Sequence, residues 1–265
     1  EADLEWLKTI PFAELVKRDV IPHLTDKVEQ LRAVLSFFGV SSVNAWHQIW
    51  DEPAVAARRS ACFASCPGTA SAWIRQGEIQ ANTISCSDFS KNKFKEIVLE
   101  IRKLTVLTPE KFTEKMRSLC AESGVALVFV PEMKKAPWYG ATKWLSPKKA
   151  MILLNLRGKM EDLFWFAFFH EAGHVIHDSK KDLLINNGNR KQEDKREVRA
   201  NEYAAELLIS DKFNERIRRL RSKKDFHEIA RRLEISPGIV VGRYHRLTKK
   251  YNYFNGLKRR FERSK

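Results

Sequence analysis

Residues 168–177 read FFHEAGHVIH, four polar side chains in an otherwise apolar run. His170 and His174 are four apart, so on a helix they share one face with about 5–6 Å between them. Two imidazoles so placed can bind one Zn2+ at about 2.0–2.1 Å each. Glu171 follows the first imidazole, which sets its carboxylate beside a metal rather than on it. That placement suits a base acting on water and returning the proton to a leaving amine. Gly173 removes a side chain next to the metal face and leaves room for another element. The HExxH pattern also arises by chance, so the apolar run before it and the acidic segment after it carry part of the weight.

A catalytic zinc usually takes three protein ligands. His177 lies roughly on the same face, but about two turns, or ~10.5 Å, from His170. Capping, or a hydrogen bond to one of the metal ligands, suits it better than ligation. The segment EVRAN offers another source, since Glu197 and Asn201 are four apart and face the same way. A carboxylate ligand followed one turn later by a polar residue that orients a zinc histidine is the logic of a two-His–Glu site. Glu202 and Glu206 compete with Glu197, as do Glu193 and Asp194, and all could instead form a solvated helix face. No later histidine completes an HExxHxxGxxH pattern.

The elements that must position these residues follow from periodicity. DKVEQLRAVLSFFGV places Val28, Leu31, Leu35 and Phe38 at helical spacing, with Gly39 as the stop. SVNAWHQIW and ASAWIRQGEI read as helices, and SDFSKNKFKEIVLEIRKLT carries Phe94, Ile97, Val98 and Ile101 on one face. Trp6, Trp46, Trp50 and Trp73 are expected in the core, since each buries a large area. Thr108 caps a helix that opens on Pro109 and ends at Gly124. ALVFVPE, GATKWL and AMILLNL read as strands, the last two joined by a Ser-Pro-Lys-Lys turn. KMEDLFWFAFFHEAGHVIHDSKK then forms one long helix, acidic at its start and basic at its end as the helix dipole prefers. QEDKREVRANEYAAELLIS is a second, with Ala200, Tyr203, Ala204, Leu207 and Leu208 recurring, and three helical segments finish the chain. The fold class is α+β, mostly helical, with a small sheet. The stretches are a helical 1–105, a core at 106–211 and a basic helical 212–265.

The 265 residues suffice for one large domain or two small ones. Hydrophobic residues are 43% and charged ones 31%, which fits a globular chain. No apolar run reaches the roughly 18 residues of a membrane span. The N-terminus lacks both the apolar core of a signal peptide and an initiator Met, so the chain is expected to be processed or a fragment. Four cysteines (Cys62, Cys66, Cys86, Cys120) and no secretory signal point to reduced thiols in a cytoplasmic protein. CFASC lacks the second cysteine pair that a metal site would need.

The net charge of +15 is localised. Lys and Arg against Asp and Glu number 13 and 13 in residues 1–105, 17 and 15 in 106–211, and 18 and 5 in 212–265, so +13 falls in the last fifth. Such a tail suggests an acidic partner, nucleic acid first, or else a solvated helical face. EIARRLEISPGIVVGRYHR, with Arg243 and Arg246 on its second helix, superficially matches a helix-turn-helix, although its IVV run reads better as a docking face.

FFHEAGHVIH followed by EVRANEYAAELLIS resembles the ImmA/IrrE family of zinc metallopeptidases. GVALVFVPE, GATKWL with KKAMILLNLRG, DLFWFAFFHEAGH and ISPGIVVGR resemble family segments too. WLKTIPFAELVKR and LRAVLSFFGV resemble the helical region ahead of the peptidase in longer members. Those members carry a front helix-turn-helix domain and resemble HigA-type antitoxin regulators; that domain is not seen here. The resemblance implies a gluzincin-like core holding Zn2+ by His170, His174 and Glu197, with Glu171 as catalytic base. It also implies cleavage of a protein substrate, a transcriptional repressor or antitoxin-type regulator. Asn201 stands where many members have Asp, and ISD at 209–211 replaces a Pro-ended stretch. An extended peptide is expected to add to a sheet edge formed by AMILLNL or GATKWL. Tyr203 and His245 are guesses for an oxyanion-stabilising group and read better as structural. The competing reading is a regulatory or antitoxin-type protein that binds DNA or a partner, with a structural or idle zinc centre. An intact Glu171 argues for chemistry, because a structural site has no need of a base.

Overall fold

A computed structural model describes residues 1–50, 66–134, 138–155, 159–180 and 195–261, and the backbone alone at 183–186. Cys62, Glu193 and Asp194 lie outside these residues. Helices α1 (Ala2–Thr9), α2 (Phe12–Lys17), α3 (Lys27–Phe38), α4 (Val43–Trp50), α5 (Pro67–Thr83), α6 (Lys91–Lys103) and α7 (Pro109–Glu122) come first. Strands β1 (Val125–Phe129), β2 (Gly140–Ser146) and β3 (Lys149–Leu154) lead to the long helix α8 (Glu161–His177). The strand β4 (Leu183–Asn186) precedes α9 (Lys195–Leu208), α10 (Asn214–Arg218), α11 (Lys223–Leu233) and α12 (Pro237–Thr248).

The sheet order is β1-β3-β2-β4, with β1 and β3 parallel and the other pairs antiparallel. β2 and β3 form a hairpin closed at Ser146 and Lys149, with an irregularity between Trp144 and Ser146. Both faces of the sheet are covered, which is why β1 and β3 read as continuous apolar runs. Val125, Leu127, Ala150 and Ile152 face the core shared with α6 to α12. Ala126, Val128, Met151 and Leu153 face the core built from α1, α3, α4 and α5. Period-two alternation thus divides each strand between two cores.

The structure corrects three expectations here. In α3 the buried residues are Gln30, Val34, Phe37 and Phe38, while Val28 is 52% exposed. Two apolar stripes share this helix, and the Phe38 contacts with Trp6 and Trp46 select the one that packs. Thr108 precedes α7 but its side chain makes no capping hydrogen bond. Neither β2 nor β3 is an edge of the sheet; the sequence reading missed β4, a four-residue run that pairs with the far side of β2. Trp6, Trp46, Trp50 and Trp73 are all buried as expected.

The C-terminal helices fasten α8. α12 buries Gly238, Ile239, Val240, Val241 and Tyr244. A Cβ on Gly242 would fall 2.7 Å from Asp162 at the start of α8. Arg243 donates to the carbonyls of Ala205 and Ile209 and pairs with Asp211 at 3.2 Å. α12 is therefore a packed core helix and cannot serve as the groove-reading helix of a helix-turn-helix. Glu161, fully buried at the first turn of α8, accepts from the Ser236 hydroxyl at 2.7 Å and from Arg259 N and Nε at 2.8 and 2.7 Å. Phe261 seals this end, with ring centroids 5.4 and 5.5 Å from those of Phe112 and Phe164. Each such aromatic pair adds about 0.5–1.5 kcal/mol beyond its buried area.

Candidate metal centre

α8 is apolar all round because both its faces are buried, and His170, Glu171 and His174 are buried with it. α9 crosses it closely at Gly173, where a Cβ would lie 3.1 Å from Tyr203 Cδ1 and 3.2 Å from Ala200 Cα. This contact brings the first turn of α9 to the two histidines. Glu197 then stands with one carboxylate oxygen 3.3 Å from His170 Nε2 and the other 3.4 Å from His174 Nε2. The ligand atoms of His170, His174 and Glu197 all lie within 4.8 Å of one another, and all three residues are buried.

The outer nitrogens of both rings are engaged. His170 Nδ1 donates to Asn201 Oδ1 at 3.1 Å, and His174 Nδ1 donates to Asp178 Oδ2 at 2.5 Å. Arg199 in turn pairs with Asp178 Oδ1. With Nδ1 protonated on each ring, the two Nε2 lone pairs converge at 2.9 Å beside a carboxylate. Acceptors gathered this closely are held together by a cation among them, a shared proton or a metal ion. Two imidazoles and a carboxylate are a zinc donor set with room for an open position, so the residues fit that metal.

Electrostatics agree in the metal-free chain. Burial opposes a charged His174, yet hydrogen bonds to Asp178 and Glu197 and the Glu171 charge outweigh it and lift the ring to about 9. Burial likewise opposes the Glu197 anion, and the two histidines overcome it and hold the carboxyl down at about 2. Glu171 moves the other way, because burial pushes its carboxyl up against the pull of the histidines and Thr142. Its Oε2 accepts from the Thr142 hydroxyl of β2 at 2.7 Å, and its Oε1 is buried without a hydrogen-bond partner among the described residues. Gly140 permits this, since a Cβ there would fall 2.7 Å from that Oε1.

Residues 122–245 match the family model of the IrrE N-terminal-like domain, a peptidase family. They form an ImmA/IrrE family peptidase domain. The match carries a metallopeptidase-type function at the level of the family and spans the sheet, α8, α9 and most of α12. The segments WLKTIPFAELVKR and LRAVLSFFGV lie outside it. Among curated proteins, none matches the chain. No helix among the described residues is long and apolar enough to cross a membrane.

Of the residues singled out in the sequence, this peptidase domain gathers His170, Glu171, His174, Glu197 and Asn201 at one place. His177 is elsewhere: its exposed ring packs edge-on against Tyr203 at 5.2 Å, and Asp178 takes the hydrogen bond to His174. Glu202 and Glu206 are exposed, and Glu206 accepts from Asp211 N at 2.9 Å. Tyr203 packs on Gly173, and His245 on α12 bonds the Tyr253 carbonyl at 2.7 Å. Asp178, Arg199 and Thr142 were not foreseen. Asp178 is four residues past His174, so the same helical arithmetic pointed to it, whereas nothing local marks Thr142.

Proposed function

We propose that this chain is a zinc-dependent endopeptidase that hydrolyses a peptide bond in a protein substrate, a regulator of repressor or antitoxin type. The observation that carries the reading is Glu171. A buried carboxylate, fixed at one oxygen by Thr142 and without a partner among the described residues at the other, stands beside a two-His–Glu cluster. A structural metal site needs no such group. The regulator class of the substrate rests on the family resemblance alone.

His170, His174 and Glu197 would hold the zinc, with Asn201 and Asp178 fixing the two rings. Zinc bound there supplies a Lewis acid for the scissile carbonyl and acidifies water. Glu171 takes a proton from the attacking water at Oε1 and passes it to the amine that leaves. Burial pushes its carboxyl up, the direction that favours holding a proton. Thr142 keeps the carboxylate from rotating as the proton moves. The outer edge of β4 is where an extended peptide adds, one strand from the Gly140–Thr142 stretch that touches Glu171.

Elemental analysis of the purified chain beside Glu197→Ala tests the centre, and digestion of candidate regulators beside Glu171→Gln tests the reaction. One zinc per chain in the wild type and in Glu171→Gln, lost in Glu197→Ala, with cleavage by the wild type and by neither variant, is expected. A wild-type protein that stays metal-free after zinc is added sinks the reading.

A further inference from the structure

The peptidase chemistry leaves the charge of the last fifth of the chain unexplained. The helices there use their apolar faces internally: Phe226, Ile229 and Ala230 of α11, and Ile239, Val240 and Val241 of α12, are all buried. The cations of α11 and of the turns flanking it are left outside. The Phe226 ring lies edge-on to Tyr244 at 5.4 Å and tilted against Phe254 at 4.5 Å, so the start of α11 meets the end of α12 and the turn after it. The Arg218 guanidinium donates to the Leu247 carbonyl at 2.9 Å, and that of Arg221 to the Arg218 carbonyl at 3.1 Å, so the end of α10 joins the same place. Arg219, Arg221, Lys223, Lys224, Lys249 and Lys250 are exposed there, and none of them is in an ion pair among the described residues.

The acidic residues nearby are committed elsewhere. Asp225 accepts from the backbone N–H of Arg221 and Ser222 at 3.0 and 2.8 Å as part of the α11 capping box. Glu228 pairs with Arg216 at 2.6 Å. Two aromatic side chains stand open on the same turn, Tyr251 at 56% and Tyr253 at 57% exposure, with Lys250 Nζ 5.8 Å from the Tyr253 ring centre.

We infer that this surface, at the junction of α10, α11 and the end of α12, binds single-stranded nucleic acid through its phosphates. The cations follow the backbone, and Tyr251 and Tyr253 offer faces on which bases stack. Sequence is not read, because α12 is buried and Arg243 is spent on the carbonyls of α9 and the turn after it. A lipid surface fits less well. A membrane-surface helix presents an apolar face beside its cations, and here those faces lie in the core.

The test is fluorescence anisotropy of a labelled mixed-sequence single-stranded oligonucleotide with the full chain, over a series of salt concentrations. The variant Lys223→Glu/Lys224→Glu/Lys249→Glu/Lys250→Glu is compared with a control reversing Lys8, Lys27, Lys93 and Lys115 to Glu. Circular dichroism checks that both fold. The expected result is a log–log salt slope of about −0.7 per phosphate contacted, with affinity lost at least ~10-fold in the first variant and little changed in the control. Tyr251→Ala/Tyr253→Ala, which leaves the charge untouched, is expected to weaken binding about 5-fold or more per stacked base. No binding at low salt, equal losses in both charge variants, or binding to phosphatidylserine vesicles but not to the oligonucleotide overturns the inference. None of these readouts depends on the zinc centre.

Discussion

Asp178 accepts a hydrogen bond from Nδ1 of His174 at 2.5 Å while its other carboxylate oxygen meets Arg199, a neighbour of Glu197 on α9. One carboxylate therefore ties the second histidine to the helix that carries Glu197. His170 has only the amide of Asn201 in that position, at 3.1 Å. The charged partner has been placed on the His174 ring.

Removing that charge weakens the metal site without abolishing it. Asp178→Asn is expected to lower zinc affinity about 10- to 100-fold, the usual effect of losing a partner that orients a ligand. Competition with a chromogenic chelator measures it. Asn201→Asp should act in the opposite direction, and an unchanged affinity in both variants would show that the rings are held by packing alone.

Glu171→Gln separates chemistry from metal binding. It keeps the shape of the side chain and the reach to Thr142 but cannot take a proton. Zinc content is expected to stay at the wild-type level while turnover falls about 10²- to 10⁴-fold, the range of general acid–base catalysis.

Gly140→Ala presses on the same carboxylate from β2. Its Cβ would sit 2.7 Å from Oε1 and 2.8 Å from Cγ of Glu171. The strand or α8 must shift, at a cost of about 1–3 kcal/mol. A lowered urea midpoint with zinc still bound is the expected outcome, and wild-type stability would mean that the side chain simply swings aside.

At the far end of α8, Arg259→Met leaves the buried Glu161 carboxylate with the Ser236 hydroxyl and one backbone N–H. Breaking a buried ion pair from one side costs about 3–5 kcal/mol. Chemical unfolding should report a loss of that size, and the double change Glu161→Gln/Arg259→Met should recover part of it.

His245 gives a signed pH dependence. Burial, with the nearby Lys258 charge, holds its ring below the ordinary histidine value despite the hydrogen bond to the Tyr253 carbonyl. A group depressed in the folded state favours folding above the unfolded-state value, and that contribution is lost as pH falls through the folded one. The ring resonance of His245 should therefore titrate at lower pH in the native chain than in urea. A native midpoint at or above the unfolded one would contradict the burial argument.

The sequence by itself determined what short-range geometry controls. Four-residue spacing put His170, His174 and Glu171 in their relation, and Glu197 in line with Asn201. Short apolar, β-rich runs marked the first three strands, and the spacing of Phe94, Ile97, Val98 and Ile101 marked the buried face of α6. Contacts between elements were decided only by tertiary packing. Glu197 was one of several acidic candidates until the close crossing at Gly173 set the first turn of α9 against α8. Thr142 meets Glu171 across 29 residues, and Arg259 meets Glu161 across 98. Periodicity fixes which residues share a face of one helix; it carries no term for which face a second helix will choose. That choice buried α12 rather than freeing it for a groove, selected the inner stripe of α3, and drew His170, His174 and Glu197 together from two helices.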